Sequence, residues 1–328
     1  MNQDLKDEIE SELGTGLDWE EVGEGLNTIY KLSSEAQTYI LKIHTNHEGM
    51  ESERFRAETE VLKNLHEKTE INTPEVVLET FSEGSDHEDF FVMEELEGES
   101  ADQYKQQFSQ SELEGIIFQY GEILARFHEN TGFDEYGVLV DRGEGLEMLD
   151  GADKWTWSVE GLIDATESII EDKWDEKPEL YTEEAKKNLD ELPENPKSVL
   201  LHQDNRLDNL LIKDDKINAL IDWSHVRAGH NEYDLVKTEY DLIEGDLDFL
   251  PEEQKEKLKK KLYEGYRQEK QLETDKEFQE RRNLYLYAIT LWNMAGFPNY
   301  SSDWEEDRYK EKEEELKSKL KKNFQKLS

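Results

Sequence analysis

The chain has 328 residues, 81 acidic and 39 basic side chains and no cysteine, for a formal net charge of −42 at pH 7. That balance argues against nucleic-acid phosphate and anionic membrane as partners, and the absence of thiols excludes disulfides and thiolate metal sites. No apolar run approaches the ~20 residues of a membrane helix, and MNQDLKDEIE at the start lacks the basic and apolar regions of a secretion signal, so a cytoplasmic location is expected.

Acids occur in every segment, which fits the hydrated surface of a halophilic, acidic proteome in high intracellular salt. Against this, Lys outnumbers Arg, and the alternative is a field that gathers cationic substrates near the site.

In chain order, residues 1–16 read as an amphipathic helix with Leu5, Ile9 and Leu13 on one face, closed by Gly14 and Gly16 and packed on the first sheet. Short strands are expected at Trp19 to Val22, Thr28 to Leu32 and Thr38 to Ile43. The turn from Val22 to Thr28 contains Gly23, Gly25 and Asn27, residues that let backbone amides approach a phosphate, although Gly-x-Gly is also an ordinary hairpin turn. Lys42 lies in an apolar strand, where a charge is costly unless paired. A helix from about Gly49 to His66 follows, with Phe55, Val61, Leu62 and Leu65 forming its apolar stripe. Strands at Glu75 to Leu78 and Phe90 to Glu94 complete a five-stranded sheet.

From residue 100 the periodicity turns helical. Leu113, Ile116, Ile117, Tyr120, Ile123, Leu124 and Phe127 mark a buried face ending near His128, which reads as a helix-end cap. Residues 131–157 read as irregular, and helices are expected near 158–172, 182–191, 252–269, 275–295 and 303–325.

The most informative stretch is 198–223, SVLLHQDNRLDNLLIKDDKINALIDW. A strand at 199–201 runs into His202-Gln203-Asp204. Asn209 precedes a second strand, and a third ends at Asp222, so two carboxylates and a carboxamide sit at strand ends where side chains can converge on a ligand. Phosphoryl transfer needs such a set: a carboxylate to orient and deprotonate a hydroxyl, and oxygen ligands for Mg²⁺.

The ordered pattern His202-x-Asp204-x4-Asn209 followed by Asp222-Trp223-Ser224 resembles the aminoglycoside phosphotransferase and choline kinase-like family of small-molecule kinases. The resemblance runs from Val22 to about Trp292, and its specific motifs lie at 22–28, 42, 58 and 199–236. It implies an α+β, protein-kinase-like fold: an N-terminal lobe of residues 1–96, with a five-stranded antiparallel sheet plus helix, and a mainly helical lobe of 97–328. It implies Asp204 as base, Asn209 and Asp222 as Mg²⁺ ligands, Lys42 on the phosphates of ATP or GTP, and Glu58 as its partner, with Glu60 the local competitor. The stretch 93–98, with Glu94 and Leu96, becomes the hinge that reads the nucleotide base through its backbone. His202 and Asp234 become structural, the first bonding a backbone carbonyl and the second tying the catalytic loop to the following helix. Arg206 departs from the Gly- or Pro-rich loops of many relatives and is left between a phosphate and Asp208 as partner.

The acceptor is expected to be small, because little chain separates Asp222 from Asp234 to form a peptide platform. Trp155, Trp157, Trp223 and Glu232 are the candidate contacts to it, with the alternative that at least one of Trp155 and Trp157 fills an interface. Two other functions compete: a nucleotide-binding pseudokinase acting as a scaffold, which loss of the base or a metal ligand would favour, and an acidic helical interaction protein, which would not respond to nucleotide. Oligomeric state is not legible.

Overall fold

The computed structural model describes residues 3–24, 27–45, 50–81, 88–173, 178–301 and 304–327. The chain divides into two compact units, one of residues 1–112, 139–149 and 207–226, the other of 113–138, 150–206 and 227–328.

The first unit begins with α1 (Gln3–Leu13) and the strands β1 (Asp18–Glu24), β2 (Asn27–Ser33) and β3 (Thr38–His44). After α2 (Met50–Lys68) come β4 (Val76–Thr80) and β5 (Phe90–Glu94), giving an antiparallel sheet in the order β1-β2-β3-β5-β4. The helix α1 covers it as its spacing predicts: Leu5 and Ile9 pack with Leu32, Leu41, Ile43, Phe90 and Val92. Central β3 has a continuous buried run, Leu41 to His44, and Lys42 is part of it. The strands β6 (Glu99–Ser100), β10 (Leu210–Lys213) and β11 (Lys216–Leu220) form a small second sheet. Asp214 and Asp215, both at positive φ, turn β10 into β11.

The second unit is mainly helical. Its apolar core joins α4 (Trp155–Lys173), α5 (Pro178–Lys187), α6 (Asn231–Thr238), α8 (Lys276–Tyr300) and α9 (Glu306–Phe324). Long α3 (Gln110–Asn130) meets α7 (Glu252–Glu269) backbone to backbone at Gly121 and Gly265. A Cβ on Gly121 would lie 2.2 Å from the Leu262 carbonyl, and one on Gly265 would lie 1.9 Å from that of Phe118, so only glycine allows this approach.

Three features depart from the pattern read in the sequence. Residues 131–157 are not irregular: they hold β7 (Tyr136–Asp141) and β8 (Leu146–Ala152), and β8 is largely solvent-facing, so it lacks an apolar signal. The segment after Asp222 contains β12 (Arg227–His230), paired with β9 (Ser198–Leu201), and then α6 and a π-helical turn, Glu239–Asp246. Helix α8 continues through Pro298 to Tyr300.

Candidate active site

The sequence sets Lys42 in the buried centre of β3, where its charge needs partners in the protein. It has two. Its Nζ donates to Glu58 Oε1 and Oε2 at 3.0 and 2.8 Å, and to Asp222 Oδ1 at 3.1 Å. The competitor Glu60 instead accepts from Lys63 at 2.9 Å. Helix α2 directs Glu58 inward because 58 shares its buried face with Phe55, Val61, Leu62 and Leu65.

Burial works to lower the Lys42 ammonium, but the facing Glu58 and Asp222 outweigh it and hold the pKa above the ordinary lysine value. Burial likewise works to raise the Asp222 carboxyl, while the Lys42 ammonium and the Ser224 hydroxyl, donating at 2.7 Å, hold it well below the usual range. Asp222 is therefore ionised at any working pH. Its backbone is left-handed, φ 59°, a strained conformation for a non-glycine residue and one found often at functional positions. The Glu58 carboxyl is pushed up, chiefly by burial.

The register of the small sheet sets Asn209 opposite Ile221, the residue before Asp222. Leu210 pairs with Leu220, and one step further the Ile221 amide donates to the Asn209 carbonyl at 3.0 Å. Asn209 is mostly buried, and the Asp222 side chain is 38% exposed. An amide oxygen and a permanently ionised carboxylate at one end of a hairpin are hard oxygen donors of the type Mg²⁺ takes. Lys42, Glu58, Asn209 and Asp222 thus belong to one unit of the fold.

Asp204 belongs to the other unit, on a loop whose shape is fixed by Asp234. The Asp234 carboxylate, fully buried, accepts the backbone amides of His202 and Gln203 at 3.0 and 3.2 Å, and the Asn205 side-chain amide at 2.9 Å. Asp234 thus ties the loop to α6, as expected. Gln203 is held at φ 70°, and Asp204 remains partly exposed between buried His202 and Asn205. The Nδ1 of the buried His202 ring accepts the Asp204 amide at 3.3 Å, a bond within the loop itself. Arg206 is exposed, and its amide donates to the Asp204 carbonyl at 3.0 Å.

Four supports of the loop, His128, Tyr266, Asn231 and Tyr120, escaped sequence reasoning. His128 is not a helix cap: wholly buried, it lies 3.3 Å from Asp234 Oδ2 through Nε2 and 3.0 Å from the Tyr266 hydroxyl through Nδ1. With Asn231 donating to the Tyr266 oxygen at 2.8 Å, the consistent order is Asn231 donating to Tyr266, Tyr266 to His128 and His128 to the Asp234 carboxylate. Burial pushes the His128 pKa down, so the ring is neutral. Tyr120 donates to Asn205 Oδ1 at 2.7 Å. A tyrosine on the apolar stripe of α3 was the available signal, since a buried phenol needs a partner.

The remaining candidates fall in several places. Gly23 follows a bulge in β1, and Asn27 Oδ1 lies 3.2 Å from His44 Nδ1, while Gly25 lies outside the described residues. Glu94 accepts from Gln37 at 2.9 Å and Leu96 is half-buried. Trp155 and Trp223, candidate acceptor contacts, are core residues, and for Trp155 this is the alternative reading, that one of Trp155 and Trp157 fills an interface. Trp155 donates to the Tyr285 hydroxyl at 2.8 Å and Trp223 to the Leu220 carbonyl at 3.1 Å, and neither presents a ring to solute. Glu232 is mostly buried and bound by Arg281 at 2.7 and 2.8 Å, so its charge is already matched. Trp157 is 52% exposed, with the Lys154 ammonium 4.8 Å from its ring centre.

The five-stranded antiparallel sheet with its helix and the mainly helical second unit are those of the protein-kinase-like fold, and the chain is a phosphotransferase that acts on alcohol groups. The phosphotransferase enzyme family model matches residues 18–272, and the chain belongs to that family. Among solved structures, aminoglycoside phosphotransferase APH(4)-Ia is similar at a TM-score of 0.68, with 14% identity and coverage of 99% of this chain and 98% of that one. A proposed fructosamine-3-kinase of Thermobifida fusca YX-ER1 is similar at 0.67, with 15% identity and coverage of 98% and 97%. APH(2")-IIa, in its ternary complex with streptomycin and ATP, is similar at 0.61, with 13% identity and coverage of 99% and 98%. At these identities the likeness shows the fold. No match is found among the curated proteins. Among the described residues no helix is long and apolar enough to cross a membrane.

Proposed function

We propose that this chain is an ATP-dependent small-molecule kinase that phosphorylates a hydroxyl of an amine-bearing acceptor, of the aminoglycoside or sugar-amine class. The observation that carries the reading is Lys42 bonded at once to Glu58 and Asp222, with Asn209 paired across the hairpin to Ile221, the residue before Asp222. ATP is supported as donor by similar structures that contain ATP, ADP or AMP-PNP, and the acceptor class by those that contain hygromycin B or streptomycin.

In this reading Asp204 accepts the proton of the acceptor hydroxyl as its oxygen attacks the γ-phosphorus and ADP leaves. The Asp234 brace holds Asp204 in place, so little reorganisation precedes the transfer. Lys42, protonated at every working pH, contacts the nucleotide phosphates. Asn209 and Asp222 would hold Mg²⁺, which neutralises phosphate charge when bound. Trp157 is the candidate contact on the acceptor side. The acidic surface is read as an adaptation to high salt, with a cytoplasmic site of action. The scaffold alternative would be favoured by loss of the proposed base or of a proposed oxygen ligand, and Asp204, Asn209 and Asp222 are all present.

The test is a panel of hydroxyl acceptors with and without amines, incubated with ATP and Mg²⁺ and followed by mass. The reading expects one amine-bearing acceptor to gain a phosphoryl group. ATP binding with no acceptor phosphorylated across the panel would favour the scaffold.

A further inference from the structure

A cavity of about 510 Å³ opens in the second unit, lined from the π-helical turn, α7, α8 and α9. None of the residues assigned above to phosphotransfer lines it. Its size falls within the ~300–1,000 Å³ common for small-molecule pockets.

Its charge runs against that of the whole molecule. Six cations line it (Lys259, Lys260, Arg282, Lys319, Lys322 and Lys326) against four carboxylates, in a chain with a net charge of −42. Most of the carboxylates are engaged within the wall. Arg282 clasps Glu239 with its guanidinium, while Lys259 binds Glu244 at 2.6 Å and Glu256 at 2.7 Å. Lys319 is held by Glu315 at 2.7 Å. Lys260, Lys322 and Lys326 have no carboxylate within ion-pair distance among the described residues, in a protein with about two acids for every base. The Lys326 ammonium donates only to the Asn323 side-chain oxygen, at 3.2 Å. Burial, and then the facing Arg282, Lys322 and Lys259, push its pKa below the ordinary lysine value. Lys322 and Lys326 thus share this wall with Arg282 and Lys259, whose own charges are matched by Glu239, Glu244 and Glu256. Tyr240, Tyr263 and Leu286 add a mostly buried surface able to take an organic body.

We infer that this cavity is a second ligand site, separate from the phosphotransfer site, that binds a small phosphate-bearing organic anion through Lys322, Lys326 and Lys260. A phosphate group suits the arrangement because it offers several anionic oxygens to separate ammonium groups, and an organic body accounts for a cavity larger than the ion.

The test is lysine acylation read by mass spectrometry on the full chain, using pyrophosphate as probe and sodium chloride of equal ionic strength as control. Protection follows mass action, so at ten times the dissociation constant the acylation of Lys322 and Lys326 should slow about tenfold. Lys187, exposed and outside the cavity, should be unaffected. In the Lys322→Glu, Lys326→Glu double variant, pyrophosphate should no longer protect Lys260. Equal reactivity with and without pyrophosphate, or equal protection by chloride, overturns the inference. The wild-type footprint decides the matter even if the variant fails to fold, and it does not depend on whether the protein phosphorylates anything.

Discussion

Lys42 and Asp222 stand 180 positions apart in sequence and meet at 3.1 Å, with Glu58 closing the other side of the ammonium. The contact leaves Asp222 ionised and Lys42 protonated, so two opposite charges are fixed before any ligand arrives. Lys42→Met should remove both the proposed phosphate contact and the restraint on Asp222. Loss of one such preorganised donor is worth about 10²–10³ in turnover. Steady-state kinetics on the variant, with its fold checked by circular dichroism, would show this, and an unchanged kcat/KM for ATP would contradict it.

Glu58→Ala leaves the Lys42 charge with Asp222 alone in a buried strand. Breaking a buried pair by removing one partner destabilises by about 3–5 kcal/mol, and retention of Asp222 should keep the effect toward the lower end. Denaturant unfolding measures it.

The Asp234 brace carries a pH signature. Burial alone would raise this carboxyl, but His128, Asn205 and the His202 amide lower it to about 2. A depressed carboxyl contributes stability that is present above its unfolded value, near 4, and is lost as pH falls through the folded value. The shift corresponds to about 2 kcal/mol. Unfolding at pH 7 and pH 3 should therefore show part of this loss in the wild type, and Asp234→Asn should be less stable at pH 7 with a flatter acid limb. An identical acid limb in the variant would refute the role.

Gly265→Ala places a Cβ 1.9 Å from the Phe118 carbonyl, and α3 and α7 must separate to admit it. Overpacking of this kind costs about 1–3 kcal/mol or more. Thermal unfolding checks it, with Gly161→Ala, where a Cβ meets nothing within 4 Å, as the mild control.

The net charge of −42 repels itself across the surface. Screening shortens from about 10 Å at 0.1 M salt to about 3 Å at 1 M. The melting temperature should rise over that interval of KCl, and a fall would count against the salt-adapted reading.

Much of this was legible in the sequence where local chemistry decides the structure. The five strands of the first sheet, α1 on its face and α7 at Glu252–Glu269 follow from period and turns alone. Lys42 was readable because a charge in an apolar strand demands a partner, and Glu58 only through the resemblance, since nothing local separates it from Glu60 on so acidic a helix. The rest depends on contacts that no local window contains. Asn205, Tyr120 and His128 look like a turn residue, a core aromatic and a helix end until Asp234 collects them. Trp155 and Trp223 look like open aromatic faces until the fold buries them. Solvent-facing β8 has too little apolar contrast to be seen, and β12 is four residues long with a glycine inside it.

The most direct test of the central claim is single-turnover transfer to an accepted substrate by wild type, Asp204→Ala and Asp222→Ala, with nucleotide affinity measured alongside. If Asp204 is the base, its removal should slow transfer by about 10²–10⁴ while ATP affinity stays near wild type, and loss of Asp222 should weaken Mg²⁺-dependent ATP binding as well. Transfer at the wild-type rate in Asp204→Ala would contradict the account.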